Sequence, residues 1–115
     1  MKESAFQASL IRRIKSAFPG CIVLKNDANY IQGFPDLLIL YRDKWAALEC
    51  KRSGLAQLQP NQIYYIRTLS EMSFSAVVYP ENELMILDEL RIHFSFDLFE
   101  QREVFGKFIQ LEGGE

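Results

Sequence analysis

The chain has 115 residues, about half of them apolar, and a formal net charge of -2. That length suits one domain with its own hydrophobic core, and no apolar run approaches the ~18 residues of a membrane span. The start, Met1-Lys2-Glu3-Ser4, has no signal-peptide core, and Cys21 and Cys50 lie in apolar strand contexts, so a cytoplasmic protein with reduced thiols is expected rather than a disulfide or zinc pair.

Residues 3–18 read as an amphipathic helix. Phe6, Leu10, Ile14, Ala17 and Phe18 fall on one stripe, and Arg12, Arg13 and Lys15 lie largely off it. Pro19-Gly20 stops the helix. A short strand is expected over 21–24, followed by a polar loop over 25–32 that ends at Gly33. Pro35 cannot donate to a ladder and marks the start of the next strand. Residues 37–41 form a continuous apolar run, the pattern of a strand buried on both faces. Residues 42–44 are the polar turn, and 45–51 the returning strand. Alternation there puts Trp45, Ala47, Glu49 and Lys51 on one face and Ala46, Leu48 and Cys50 on the other. Trp45 is expected under the first helix.

After a loop over 52–58, Pro60 opens a helix that runs to about Met72, with Ile63, Ile66 and Leu69 inward. A strand over 74–79 is closed by Pro80. Residues 82–92 fit a helix or a strand, because Leu84-Met85-Ile86-Leu87 satisfies both periods. Residues 94–108 are aromatic and acidic, and read as a helix that packs on the sheet or meets a second subunit. The expectation is an α/β domain, a mixed sheet flanked by helices, with a core over 1–93 and a C-terminal extension over 94–115.

Charge is unevenly placed. Residues 1–67 carry a net +5 and residues 68–115 a net -7, so a basic face for phosphates is compatible with the acidic total. The chemistry gathers at one end of the hairpin, where antiparallel pairing brings Asp36 beside Glu49 and Lys51 stands at the strand exit. Mg²⁺ or Mn²⁺ takes oxygen ligands and is held by one or two carboxylates. Asp36, Glu49 and the backbone carbonyl of Cys50 supply such oxygens. Lys51 is placed to orient or deprotonate a water, or to stabilise charge developing on a phosphate. Metal-assisted phosphodiester hydrolysis is the reaction class that fits.

Plainer readings stand beside these. Asp36 caps a turn; Glu49 and Lys51 form an exposed ion pair worth about 0–1 kcal/mol; Glu3 complements the helix macrodipole. Asp27 is a rival ligand in a loop that nothing fixes. His93, the only histidine, is expected to be a packed or surface residue. There is no glycine-rich phosphate loop, and hence no nucleotide cofactor. Arg12, Arg13, Lys25, Arg52 and Arg67 are candidate phosphate contacts, with Arg52 best placed because it follows Lys51.

Gly33-Phe34-Pro35-Asp36, Glu49-Cys50-Lys51 and Gln62 together resemble the PD-(D/E)xK nuclease superfamily, and within it the VRR-NUC nucleases and their standalone phage-type members. The resemblance covers about residues 3–80 and implies a restriction-endonuclease-like αβββαβ core. It implies metal ligation by Asp36 and Glu49, the family lysine at Lys51, a site-supporting glutamine at Gln62, and Glu3 as the acid of the first helix. The implied activity is a Mg²⁺- or Mn²⁺-dependent DNA endonuclease selective for branched or junction DNA, acting as a homodimer where two cuts are needed. The alternative is a nuclease-like fold that holds DNA or a protein partner without cutting.

Overall fold

The computed structural model describes residues 2–95. Among them the order is α1 (Glu3–Ala17), β1 (Ile22–Lys25), β2 (Leu37–Tyr41), β3 (Lys44–Cys50), α2 (Pro60–Met72), β4 (Phe74–Val78), a short 3-10 turn (Pro80–Asn82) and α3 (Glu83–Ser95). The strands form one mixed sheet in the order β1-β2-β3-β4, antiparallel except for the β3–β4 pair, which is parallel. A parallel pair needs a crossover, and α2 is that crossover. The fold is thus an α/β domain with helices on its sheet, and no helix of the described residues is long and apolar enough to cross a membrane.

The core lies between one sheet face and two helices. Phe6, Leu10, Ile14 and Phe18 from α1 and its C-terminal cap meet Ile86, Leu87, Leu90 and Phe94 of α3 over Leu37, Ile39, Ala46, Leu48 and Cys50. The spacing of the last helical set is that of an α-helix, and this decides the 82–92 segment as helix. Because α3 runs on to Ser95, the boundary drawn at 93 cuts through it, and Phe94 belongs to the core. The rest of the segment expected as an extension, 96–115, lies outside the described residues. Arg13 and Glu83 close a two-pronged ion pair between α1 and α3, so Arg13 is occupied in the fold rather than offered to phosphate.

Two expectations about the hairpin change. Residue 42 and residue 43 alone make the turn, with Tyr41 paired to Lys44 and Arg42 at φ 57°, the positive φ that two-residue hairpin loops require. The strand buried on both faces is β3, not β2. Ala46 to Cys50 are all buried, whereas Leu38 is half-buried and Leu40 is exposed. The reason is where α2 lies: it covers β3 and β4 on the face opposite α1 and leaves β1 and β2 open there. Trp45 is on this second face, beside Leu40, Leu38, Phe34 and Leu69, and so does not pack under α1.

His93 packs between Phe74 and Phe94, with Nε2 3.0 Å from the Trp45 carbonyl and 3.2 Å from Ser73 Oγ. Cys50 is buried, Cys21 is half-buried in the turn before β1, and both are free thiols.

Candidate active site

The pairing of Leu37 with Leu48 puts Asp36 opposite Glu49, at the end of the hairpin away from its turn. Pro35, fully buried, fixes the approach to β2, and Asn26 holds the preceding loop. Its backbone N–H donates to the Asp36 carbonyl at 2.8 Å, and its side-chain amide lies 3.4 Å from the carbonyls of Ile31 and Phe34. Asp36 Oδ2 accepts the Cys50 backbone N–H at 2.7 Å. One carboxylate oxygen of Asp36 is therefore tied to β3, and the group is held against Glu49.

Glu49 is 3% exposed. A carboxylate so buried is costly unless partnered, and its partners include the Asp36 carboxyl, Lys51 and Gln62. Lys51 Nζ stands 3.6 Å from Glu49 Oε2, and Gln62 Nε2 donates to the same oxygen at 3.0 Å. Gln62 Oε1 accepts from Lys51 Nζ at 3.2 Å and from the Gln59 backbone N–H at 2.8 Å. With two donors facing the amide oxygen, the amide nitrogen must point at Glu49. The Gln59 contact is half of a capping box that starts α2, so the residue that begins the helix also clamps Lys51 and Glu49 together. Lys51 lies just past β3, with its backbone N–H donating to the Val78 carbonyl at 2.9 Å.

The electrostatics of this group are unbalanced. Burial, the neighbouring Asp36 and the more distant Glu3 push the Glu49 carboxyl up to about 7, against the pull of Lys51. Burial also raises Asp36, despite the Cys50 N–H and Lys51. A buried acid and a half-buried one thus share a single ammonium, an imbalance that a second cation would relieve. A divalent cation held by carboxylates would supply such a charge. Glu3 stands near enough to act on Glu49 and Cys50 through space. Among the described residues, however, no three His, Cys, Asp or Glu side chains converge as a ligand group, so Glu3 does not join Asp36 and Glu49 as a third side-chain ligand.

The other expected residues divide. Lys25, paired with Leu37, and Arg52, which follows Lys51 in sequence, are exposed, while Lys51 is the cation that acts on both acids. Arg12 is exposed more than two turns along α1 from Glu3, and Arg67 more than one turn along α2 from Gln62, so these two do not border the acids. Asp27 is exposed and caps its own turn, accepting the Asn29 N–H at 2.9 Å.

Two contributors escaped the sequence reading. Gln7, one turn after Glu3, hydrogen-bonds the Cys50 thiol; its i+4 spacing from Glu3 was the available signal. Asn61 lies so close to Gly33 that a Cβ there would sit 2.6 Å from its side chain. Gly33, at φ 86°, thereby lets the loop press against the start of α2 and set Gln62 in place.

The sequence matches no protein-family model, and no curated protein or solved structure matches it.

Proposed function

We propose that this protein is a Mg²⁺- or Mn²⁺-dependent DNA endonuclease of the PD-(D/E)xK type, VRR-NUC-like, with a restriction-endonuclease-like core. The observation that carries the reading is the convergence of Asp36, Glu49, Lys51 and Gln62 at one end of the hairpin. Asp36 and Glu49, with the Cys50 carbonyl, would hold the cation, which supplies Lewis acidity and charge neutralisation when bound. Asp36 is pre-oriented by the Cys50 N–H. Gln62 keeps the Glu49 carboxylate and the Lys51 ammonium in register, so neither has to reorganise during reaction. Lys51 Nζ orients the attacking water, or lies against the charge gathering on the phosphate. Arg52 and Lys25 steer the backbone toward the acids. Branched or junction DNA is the proposed substrate class, with two chains acting together where both strands are cut, in the cytoplasm, where Cys21 and Cys50 remain thiols.

The test is cleavage of branched and linear DNA with Mg²⁺, Mn²⁺ or EDTA. Asp36→Ala and Glu49→Ala are each expected to abolish cutting while leaving DNA binding in place. Full activity in either variant would sink the reading. A second reading, a nuclease-like fold that binds without cutting, is favoured by one observation: the Lys51 ammonium pairs with the Glu49 carboxylate. Calorimetry that detects no Mg²⁺ or Mn²⁺ uptake, with DNA binding intact, would select it.

A further inference from the structure

The two loops at the acid end of the sheet each hold an apolar side chain out to solvent. Lys25 pairs with Leu37, so residues 26–36 join β1 to β2 at the end that carries Asp36. Cys50 pairs with Val78 in the parallel ladder, so residues 51–59 leave β3 at that same end and lead into α2. Tyr30, in the first loop, is 82% exposed, and Leu55, in the second, is 96% exposed. Among the described residues no large apolar side chain is more exposed than these two.

Both turns are tied down. The Ala56 N–H donates to the Ser53 carbonyl and the Leu55 N–H to Ser53 Oγ, each at 3.2 Å. The Gly54 N–H reaches Glu81 Oε1 at 3.4 Å, and Gly54 lies so close to Tyr79 that a Cβ there would stand 2.9 Å from the ring. In the other loop the Tyr30 N–H donates to the Asp27 carbonyl at 2.9 Å. Phe34 fastens that loop to α2 through a ring contact with Tyr65, centroids 5.5 Å apart. A lone exposed leucine is ordinary on a surface. Here two pinned turns at one end of the sheet each present an apolar tip that adds nothing to the core. Exposed bases, Lys25 and Arg52, stand in the same two stretches.

Leu55 follows Lys51 by four positions, a reach of at most about 14 Å, or about four base steps of 3.4 Å. Leucine is among the side chains that wedge between base steps and unstack them. A tyrosine ring stacks on unpaired bases whatever their sequence. Resting on the nuclease reading of the acids, we propose that the site takes DNA whose stack is broken within a few steps of the cut. Leu55 fills the opened step, and Tyr30 stacks on a base released from it. Selectivity for branched DNA follows, because a branch point has already lost part of the stacking that a continuous duplex would have to give up.

The probe is a three-way DNA junction with 2-aminopurine at the paired position next to the branch, whose emission rises when that base leaves the stack. The full chain in EDTA is expected to raise it, and saturating Leu55→Ser to raise it much less. With Mg²⁺, Leu55→Ser is expected to cut a fully paired step about 10-fold more slowly than the unaltered chain, and to regain most of that loss where the step is mismatched. Tyr30→Ser is expected to weaken junction binding about 10-fold, and Tyr30→Phe to keep it. Both side chains are exposed, so neither change threatens the fold. An undiminished rise in Leu55→Ser, with the junction still bound, would overturn the proposal and leave Leu55 to a protein partner. Junction binding unaltered by Tyr30→Ser would overturn it as well. An unaltered chain that lifts the emission in EDTA, yet cuts nothing with Mg²⁺ or Mn²⁺, would end the nuclease reading and uphold the wedge. One that cuts, with Leu55→Ser cutting paired and mismatched steps at the same rates, would end this inference alone.

Discussion

Gln62 is the residue on which the acid cluster turns, because it does two jobs with the two ends of one amide. Its oxygen caps α2 and accepts from Lys51, and its nitrogen donates to Glu49. Gln62→Glu separates the two. A glutamate can still cap, but it removes the donor and places a second negative charge against Glu49. The expected cost is about 1–3 kcal/mol, larger at pH 8 than at pH 5.5, as read by urea denaturation at both values. Glu49 sets a second pH dependence. Its ordinary value of 4.5 is raised to about 7, so between those limits the folded chain keeps a proton that the unfolded chain has released. Stability in EDTA therefore falls as pH rises through this window and levels off above it, by at most about 3 kcal/mol from this group. Burial raises Asp36 in the same direction. Glu49→Gln is expected to flatten the profile. Mg²⁺ is expected to raise the melting temperature more at pH 7.5 than at pH 5, since it competes with the retained proton; equal effects at both pH values would speak against carboxylate ligation.

At the scale of elements, the contact between the loop before β2 and the start of α2 decides how well Gln62 is aimed. Gly33→Ala is strained by its positive φ and also drives a methyl into Asn61. Gly20 has φ 90° but nothing within 4 Å of a Cβ, so Gly20→Ala is the control for backbone strain alone. Gly33→Ala is expected to cost about 1–3 kcal/mol, more than the control, and to lower cleavage where the control does not. The elements themselves were well marked in the sequence. Pro60 and the run to Met72 delimit α2 as read, and the apolar run 37–41 coincides with β2, because punctuation and period are local signals. Which face each strand buries was not legible. Leu40 and Trp45 look like core residues, yet Leu40 is exposed and Trp45 half-buried because α2 settles over β3 and β4, a choice made by a helix that begins fifteen residues after Trp45. The pairing of Asp36 with Glu49 was legible because one short turn fixes the register. The place of Gln7 was not, because it comes from packing between α1 and β3.

For the molecule as a whole, α1 is the element tied in least locally. It reaches the sheet through its apolar stripe and reaches α3 through Arg13 and Glu83, which are 70 positions apart. Glu83 is 8% exposed. Arg13→Ala leaves that carboxylate without its cation, though water can reach the partly exposed position of Arg13, and the expected loss is about 1–3 kcal/mol. Arg13→Ala with Glu83→Ala is expected to recover part of it, which a double-mutant cycle of thermal denaturation measures.

The mixed pairing of the sheet also sets an order of assembly. Asp36 and Glu49 are brought together by a hairpin with a two-residue loop, the kind of closure that forms within about 1–10 µs. Lys51 is pinned by Val78, 27 positions on, across the α2 crossover, and such distant parallel pairing comes late in folding. The two like charges therefore meet before the ammonium that moderates them is in place. The nascent chain tolerates this because carboxyls forced together can retain protons. Newly synthesised molecules should thus acquire their carboxylate pair first and their competence last, so that amide protection at Cys50 precedes protection at Lys51 in pulse-labelled refolding.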